Sequence, residues 1–251
     1  MPEPSTPLTP RAIRRVHDLL VKHYGSRRVK KRDPLDGLIL IMLSQATNDV
    51  NCERAFSNLK NTFPSWEEVR LAPAEKIADA IRVGGLANQK AARIKQLIEE
   101  IWQERGDFDL NWMFEASPEK CREYLEKFHG VGPKTVACVL VFFLDKPAFP
   151  VDTHVFRVTK RLGWIREKAS PDEAHRVLEA AIPDECKLDL HVNLISHGRM
   201  ICRANGNGGP LCGECFLRRN CTFGKAQSSL IAPRAKSQIK PREDFFVTIE
   251  P

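Results

Sequence analysis

The sequence predicts an all-α fold, on three observations. Apolar residues recur at helical spacing in one segment after another. Four cap-and-proline pairs, Thr9-Pro10, Asp33-Pro34, Ser117-Pro118 and Ser170-Pro171, mark places where helices start. No stretch shows the sustained polar–apolar alternation of a strand.

Taken in order, Thr9-Pro10 opens a helix with Ile13, Val16, Leu19 and Leu20 on one face and Gly25 as its stop. A basic linker over residues 27–32 follows. Asp33-Pro34 starts an apolar helix reaching about Leu43, and a second runs from about Asn48 to Leu59. Ser65 with Glu68 forms a capping-box pair for the next. Further helices are expected near 73–82, 88–103, 118–127, 134–144, 153–162, 171–181 and 187–201. Residues 226–251 mix Pro, Ser, Lys and Arg without helical period and read as a loosely held tail. No internal repeat stands out.

At 251 residues the chain is long enough for one large domain or two modest ones. A formal charge of +7 favours a polyanionic partner. No signal peptide is visible, and the longest apolar run, residues 136–144, is far short of the about 20 residues a membrane span needs. Eight cysteines without a secretory signal point to a reducing compartment, where clustered thiols are metal ligands and not disulfides. The expected location is the cytoplasm, on the nucleoid in a bacterium.

Four of those cysteines follow the pattern Cys202-x9-Cys212-x2-Cys215-x5-Cys221. Gly206, Gly208 and Gly209 let the backbone wrap such a group. Zinc sites usually show paired C-x2-C arms, and here there is one. The unequal spacing suits a [4Fe–4S] cubane, with a four-cysteine zinc site as the competing reading. Cys52, Cys121, Cys138 and Cys186 lie on or beside helical segments and read as packed thiols.

The segment from Phe128 to Thr135 sits between two helical stretches. Gly130 and Gly132 permit a tight turn with positive φ, and Val131 can tuck into the core. The turn's amides and the next helix's N-terminus then form an anion site suited to a DNA phosphate, although a G-V-G between helices can also be only a turn. Lys134 falls in the first turn of that helix, where the dipole disfavours a charged ammonium. It can therefore serve as an amine nucleophile, or more blandly as a phosphate-binding lysine. Downstream, Asp152 starts the helix near 153–162. It reads as an N-cap, and also as the anion that a lysine attacking a sugar carbon needs. His154 and Arg157 can contact phosphate or brace this helix, and bracing is the favoured reading for His154.

Together these features resemble the endonuclease III family of helix-hairpin-helix DNA glycosylases, over about residues 34–221. The strongest pieces are the hairpin with Lys134-Thr135, the run from Val151 to Arg157, Lys187-x-Asp189-x-His191 leading to His197-Gly198-Arg199, and the four cysteines. The stretches 43–49 and 85–91 match more loosely. The resemblance implies two helical domains flanking a DNA-binding cleft. One is a six-helix bundle over 33–146 with the helix-hairpin-helix. The other is an iron–sulfur domain over 147–225, joined by the N-terminal helix within 1–32, with the tail 226–251 outside. It also implies base flipping, catalysis by Lys134 and Asp152, and a [4Fe–4S] cluster on Cys202, Cys212, Cys215 and Cys221. DNA contacts are expected from Gln45, Ala46, Gly130, Val131, Gly132, Thr135, His154, Arg157 and Arg203, and from Leu86 as a wedge into the duplex.

The implied activity is that of a bifunctional N-glycosylase and AP lyase on double-stranded DNA with damaged bases, oxidised pyrimidines such as thymine glycol above all, or abasic sites. The chain is expected to act as a monomer, with no membrane partner. A monofunctional adenine or mismatch glycosylase and a non-catalytic, metal-stapled DNA-binding protein are the rivals. Two departures stand out. The nine residues between Cys202 and Cys212 exceed the family's usual spacing. Ala46 stands where many relatives have a glutamine that fills the space left by the flipped base.

Overall fold

The computed structural model describes residues 8–29, 32–205, 208–227 and 247–249. The chain divides into two compact units, Val29–Lys146 and the pair of segments Met1–Arg28 and Pro147–Pro251. Helix α1 (Pro10–Tyr24) belongs to the second of these, and Thr9 caps it by accepting from the Ala12 N–H at 3.2 Å.

Unit Val29–Lys146 contains α2 (Pro34–Ser44), α3 (Asp49–Thr62), α4 (Trp66–Leu71), α5 (Ala74–Ala80), a 3-10 turn (Arg82–Gly84), α6 (Ala87–Arg105), α7 (Trp112–Glu115), α8 (Pro118–Leu125) and α9 (Pro133–Phe143). The expected caps form: the side chains of Asp33, Asn48, Ser65 and Ser117 each accept a first-turn N–H three residues on. The four-residue α7 is too short to show a period and has no counterpart in the sequence reading.

The core of this unit is built on α2 and α9. Residues from Leu35 to Leu43 bury every apolar side chain, and so do those from Val136 to Phe143. A helix apolar all round must be enclosed on every side, which fixes the register of α9 and of the lysine at its mouth. Gly37 lets the pair approach closely. A Cβ there would lie 2.4 Å from Cγ of Phe143, a ring with no room to retreat. We expect Gly37→Ala to cost about 1–3 kcal/mol through overpacking, read by urea denaturation.

The other unit packs α1 with α10 (Thr153–Leu162), α11 (Pro171–Ala181), α12 (Lys187–Met200) and the short α13 (Thr222–Ala226). Ile13, Val16 and Leu20 join Val155, Val158, Leu162, Leu178, Leu190 and Leu194 in one core. The end of α1 is tied to α12 by polar groups. Asp189 accepts from the Ser26 hydroxyl at 2.9 Å and the Arg27 N–H at 2.6 Å. Arg27 is buried, with its guanidinium on the Asn193 side-chain oxygen and the Tyr24 carbonyl. The expected basic linker is thus in part a buried anchor, because a planar guanidinium can be enclosed when carbonyl oxygens meet its donors.

One exception to the all-helical expectation is a two-stranded pairing of β1 (Arg27–Val29) with β2 (Val247–Ile249). Three-residue strands are too short to carry an alternating pattern. Lys30, Lys31 and most of the expected tail, residues 228–246 and 250–251, lie outside the described residues. Among the described residues no helix is long and apolar enough to cross a membrane.

Candidate active site

In unit Val29–Lys146 the chain leaves α8, turns at Gly130 (φ 80°) and enters α9 at Pro133. Gly132, expected to share the positive φ, has φ −90° as the N-cap of α9, a conformation open to any residue. Val131 is buried as expected, but its N–H bonds to the Phe128 carbonyl at 3.1 Å and so is not available to an anion. The outward donors are those of the helix mouth, where the first N–H groups have no intrahelical acceptor. Lys134 lies in this first turn with its side chain exposed. Thr135 is buried at 7 % exposure, so it can offer DNA its backbone N–H and not its hydroxyl.

Two further loops of the same unit hold the expected DNA contacts Gln45, Ala46 and Leu86. Gln45 ends α2, and Ala46 follows with φ 53°. Leu86 precedes α6 with φ 50° and ψ 35°, and its side chain is 54 % exposed. Among the described residues Ala46, Leu86 and Asp145 are the non-glycine residues in the left-handed region, which costs about 1–2 kcal/mol at each such position. Such strain persists where surrounding contacts over-determine the backbone. A group the sequence reading left unassigned sits beneath both loops. The Lys90 ammonium, 4 % exposed, donates to the Leu43 carbonyl at 2.7 Å and the Gly84 carbonyl at 2.8 Å. Burial pushes its pKa below the ordinary lysine value, against a weaker opposing pull from Cys52.

In the other unit, Asp152 is the N-cap of α10, its carboxylate accepting from the Val155 N–H at 2.7 Å, and it is half-buried. The residues leading to it are pinned from two sides. The Pro150 carbonyl meets the ring Nδ1 of buried His191 at 2.8 Å, and the Phe149 N–H donates to Glu179 at 2.5 Å. Lys187, itself buried, pairs with Asp184 at 2.8 Å and stands 3.9 Å from Glu179.

His154 and Arg157 lie one turn in. Arg157 places Nε on the Cys202 carbonyl, Nη1 on the Thr153 carbonyl, and Nη2 on both the Gly198 carbonyl and His154 Nδ1. In the free protein both residues brace α10 against the end of α12. Burial pushes His154 below the usual histidine value, so its ring is neutral and suited to accept from the guanidinium. Arg203 donates Nε to the Met200 carbonyl at 2.9 Å.

The four clustered cysteines lie in this unit. Each of Cys212, Cys215 and Cys221 feels the charge of others in the set, and Cys202 is felt by all three. As free thiols, Cys215 and Cys221 are pushed up to about 12 and about 11, by burial first and by the neighbouring sulfurs after it. A bound cation reverses this balance, since coordination deprotonates a thiol outright.

The surroundings fit a sulfur-ligated cluster. The Gly224 N–H donates to Cys221 Sγ and Arg161 Nη1 to Cys202 Sγ, both at 3.3 Å. His197 Nε2 stands 3.5 Å from Cys215 Sγ, while its Nδ1 meets the Tyr24 hydroxyl at 3.1 Å. Donors aimed at thiolate sulfur stabilise its charge on iron. Gly208 and Gly209 take φ 75° and 70° in the loop, with Gly206 outside the described residues. Among the described residues no three His, Cys, Asp or Glu side chains are gathered around a single ion position. The remaining cysteines, Cys52, Cys121, Cys138 and Cys186, are buried free thiols.

Comparison with known proteins agrees with this geometry. The model of the HhH-GPD superfamily base excision DNA repair protein matches residues 39–184. A protein of Arabidopsis thaliana named as a DNA glycosylase is 45% identical over 173 residues, 69% of this chain and 59% of its own length. The chain thus spans under two thirds of that relative. Endonuclease III of Thermotoga maritima is 32% identical over 225 residues, covering 90% of this chain and 96% of its own. A solved structure of a trapped endonuclease III–DNA covalent intermediate superposes with TM-score 0.71 at 29% identity, over 87% of this chain and 98% of the other. On the family match and the coverage of the Thermotoga enzyme, the chain belongs to the HhH-GPD superfamily of base excision DNA repair proteins, as an endonuclease III-like member.

Proposed function

We propose that this chain is a bifunctional DNA N-glycosylase and AP lyase that removes damaged bases, oxidised pyrimidines foremost, from duplex DNA. The observation that carries the reading is Lys134, an exposed amine in the first turn of α9 immediately after the Gly130 turn. The endonuclease III of the trapped complex is covalently joined to DNA, which supports a covalent route here.

The base is extruded from the stack, because its glycosidic bond is shielded inside the duplex. The Nζ of Lys134 attacks C1′ through its lone pair, and the damaged base departs with the bonding electrons and takes up a proton. The sugar ring opens to a Schiff base between Nζ and C1′. Loss of a C2′ proton then expels the 3′ phosphate, cutting the strand by β-elimination, and water releases Lys134. The carboxylate of Asp152 serves to stabilise the positive charge that develops on the sugar. The helix mouth at Lys134 and Thr135 holds a backbone phosphate through its N–H groups.

Cys202, Cys212, Cys215 and Cys221 would hold a [4Fe–4S] cluster, whose contribution would be to staple the loop between Cys202 and Cys212 and not to take part in the reaction. Arg161 orders the same loop, donating to the Cys202 and Arg203 carbonyls at 3.2 and 2.6 Å. The protein works as a monomer, in a compartment where thiols stay reduced.

The test uses the wild-type protein with duplexes that each carry one lesion. Thymine glycol DNA should give a 3′-cleaved strand bearing the β-elimination product, and the same preparation should contain about four irons per chain. Tight, salt-dependent binding with every lesion strand left whole sinks the enzymatic reading.

A further inference from the structure

The sequence motif around Leu86 contains a lysine that the proposed chemistry does not use. Lys90 occupies the apolar face of α6, in register with the buried Ile94, Leu97, Ile98 and Ile101. A lysine there is costly unless its ammonium is fully engaged. Its two acceptors are chemically suited to a cation, because Leu43 lies in the last turn of α2 and Gly84 ends the 3-10 turn. Each carbonyl sits at the negative end of its helix, where no further backbone N–H follows in the ladder.

The placement of these carbonyls matters more than their charge. Leu43 is three residues before Ala46, and Gly84 is two before Leu86. One nitrogen therefore grips the roots of two loops that each carry a left-handed non-glycine residue, Ala46 and Leu86. The carbonyl oxygens can be no farther apart than their two hydrogen bonds allow. The grip is short-linked as well, since the Lys90 N–H donates to the Leu86 carbonyl at 3.0 Å, in the first turn of α6.

We propose that Lys90 is a positioning residue, an ammonium clamp that holds the Ala46 and Leu86 loops at a fixed separation for entry into the DNA duplex. The inference rests on the glycosylase reading, in which Leu86 fills the stack behind the flipped base. Removing the clamp leaves Lys134 and the helix mouth in place and releases the two loops. Extruding a base from a duplex then suffers, while chemistry on a sugar that is already accessible does not.

The experiment compares two substrates in single turnover: a duplex with one thymine glycol, and a single strand with one abasic site. Lys90→Met keeps the apolar stem and deletes the donors. It should slow excision from the duplex by about 10- to 100-fold, the cost of a small misplacement of a positioned group. Scission of the single-stranded abasic site should stay within about twofold of wild type, because it needs no extrusion. A 2-aminopurine placed beside the lesion should lose its fluorescence rise on binding. Leu86→Ala should add little to the loss in the Lys90→Met background, since both act through one loop.

Equal losses on the two substrates, or fully additive effects of Lys90→Met and Leu86→Ala, overturn the clamp and leave Lys90 as a structural residue. Lys90→Gln, which keeps a shorter donor, runs through the same cycle and decides the matter if the methionine variant does not fold. Wild-type protein inert on every lesion duplex sinks the glycosylase reading itself. Active wild type with an equally active Lys90→Met sinks the clamp alone.

Discussion

Lys134→Gln protein is expected to form no covalent adduct when mixed with thymine glycol duplex and borohydride, under conditions where wild type is trapped in high yield. Reduction captures the Schiff base as a stable amine, and a carboxamide nitrogen cannot form that intermediate. Strand cleavage should fall on the order of 10³-fold or more, as when a nucleophile is removed from a unit that acts together. The fold should hardly notice. Lys134 is exposed in the first turn of α9, and glutamine matches lysine closely in helix propensity. Urea midpoints should therefore agree within about 0.5 kcal/mol, and DNA affinity should drop only by the loss of one cationic contact. Trapping at wild-type yield places the nucleophile elsewhere and overturns the assignment.

The second large effect concerns Asp152, where two roles overlap in one carboxylate. It caps α10 through the Val155 N–H, a task asparagine performs about as well. Asp152→Asn therefore isolates the charge. We expect excision to fall by about 10²- to 10³-fold, the scale of losing one electrostatic stabiliser, with stability and DNA binding close to wild type. Asp152→Ala removes the cap as well and should cost about 1 kcal/mol of stability on top. If asparagine restores full excision and alanine does not, the residue is a cap and nothing more. The pinning of Phe149 and Pro150 by Glu179 and His191 makes the asparagine comparison clean, because the backbone leading to residue 152 is held independently of its side chain.

Much of this site was legible before any coordinates. Helix starts at Pro10, Pro34, Pro118 and Pro171 follow from caps that bond within three residues, and Lys134 lies in the first turn of a helix that starts at Pro133 without a side-chain cap. The cysteine group was visible as spacing. Other features were misread or unseen. Gly130 and Gly132 both permit a turn with positive φ, and the turn uses that freedom at Gly130 alone. The inward turn of the Thr135 hydroxyl, set by the all-apolar α9, was not visible, and it leaves the backbone N–H as what Thr135 can offer. Arg157 was one of several basic residues open to phosphate, and the fold spends its donors on the carbonyls of Thr153, Gly198 and Cys202. Lys90 did carry a signal, a lysine in the register of Ile94 and Ile98, but a register says that a side chain is buried and not what it meets.

The division follows the range of the interactions. Helices and caps depend on partners three or four residues away, and the amino-acid order contains them directly. The clamp spans 47 residues from Lys90 to Leu43, and the Arg27 anchor spans 166 to Asn193. The left-handed backbone at Ala46 and Leu86 is likewise no property of alanine or leucine, which avoid it in isolation. Only the packed chain brings distant carbonyls to a buried cation and holds two unfavourable turns in place, because the energy that does so comes from contacts made after the helices have met.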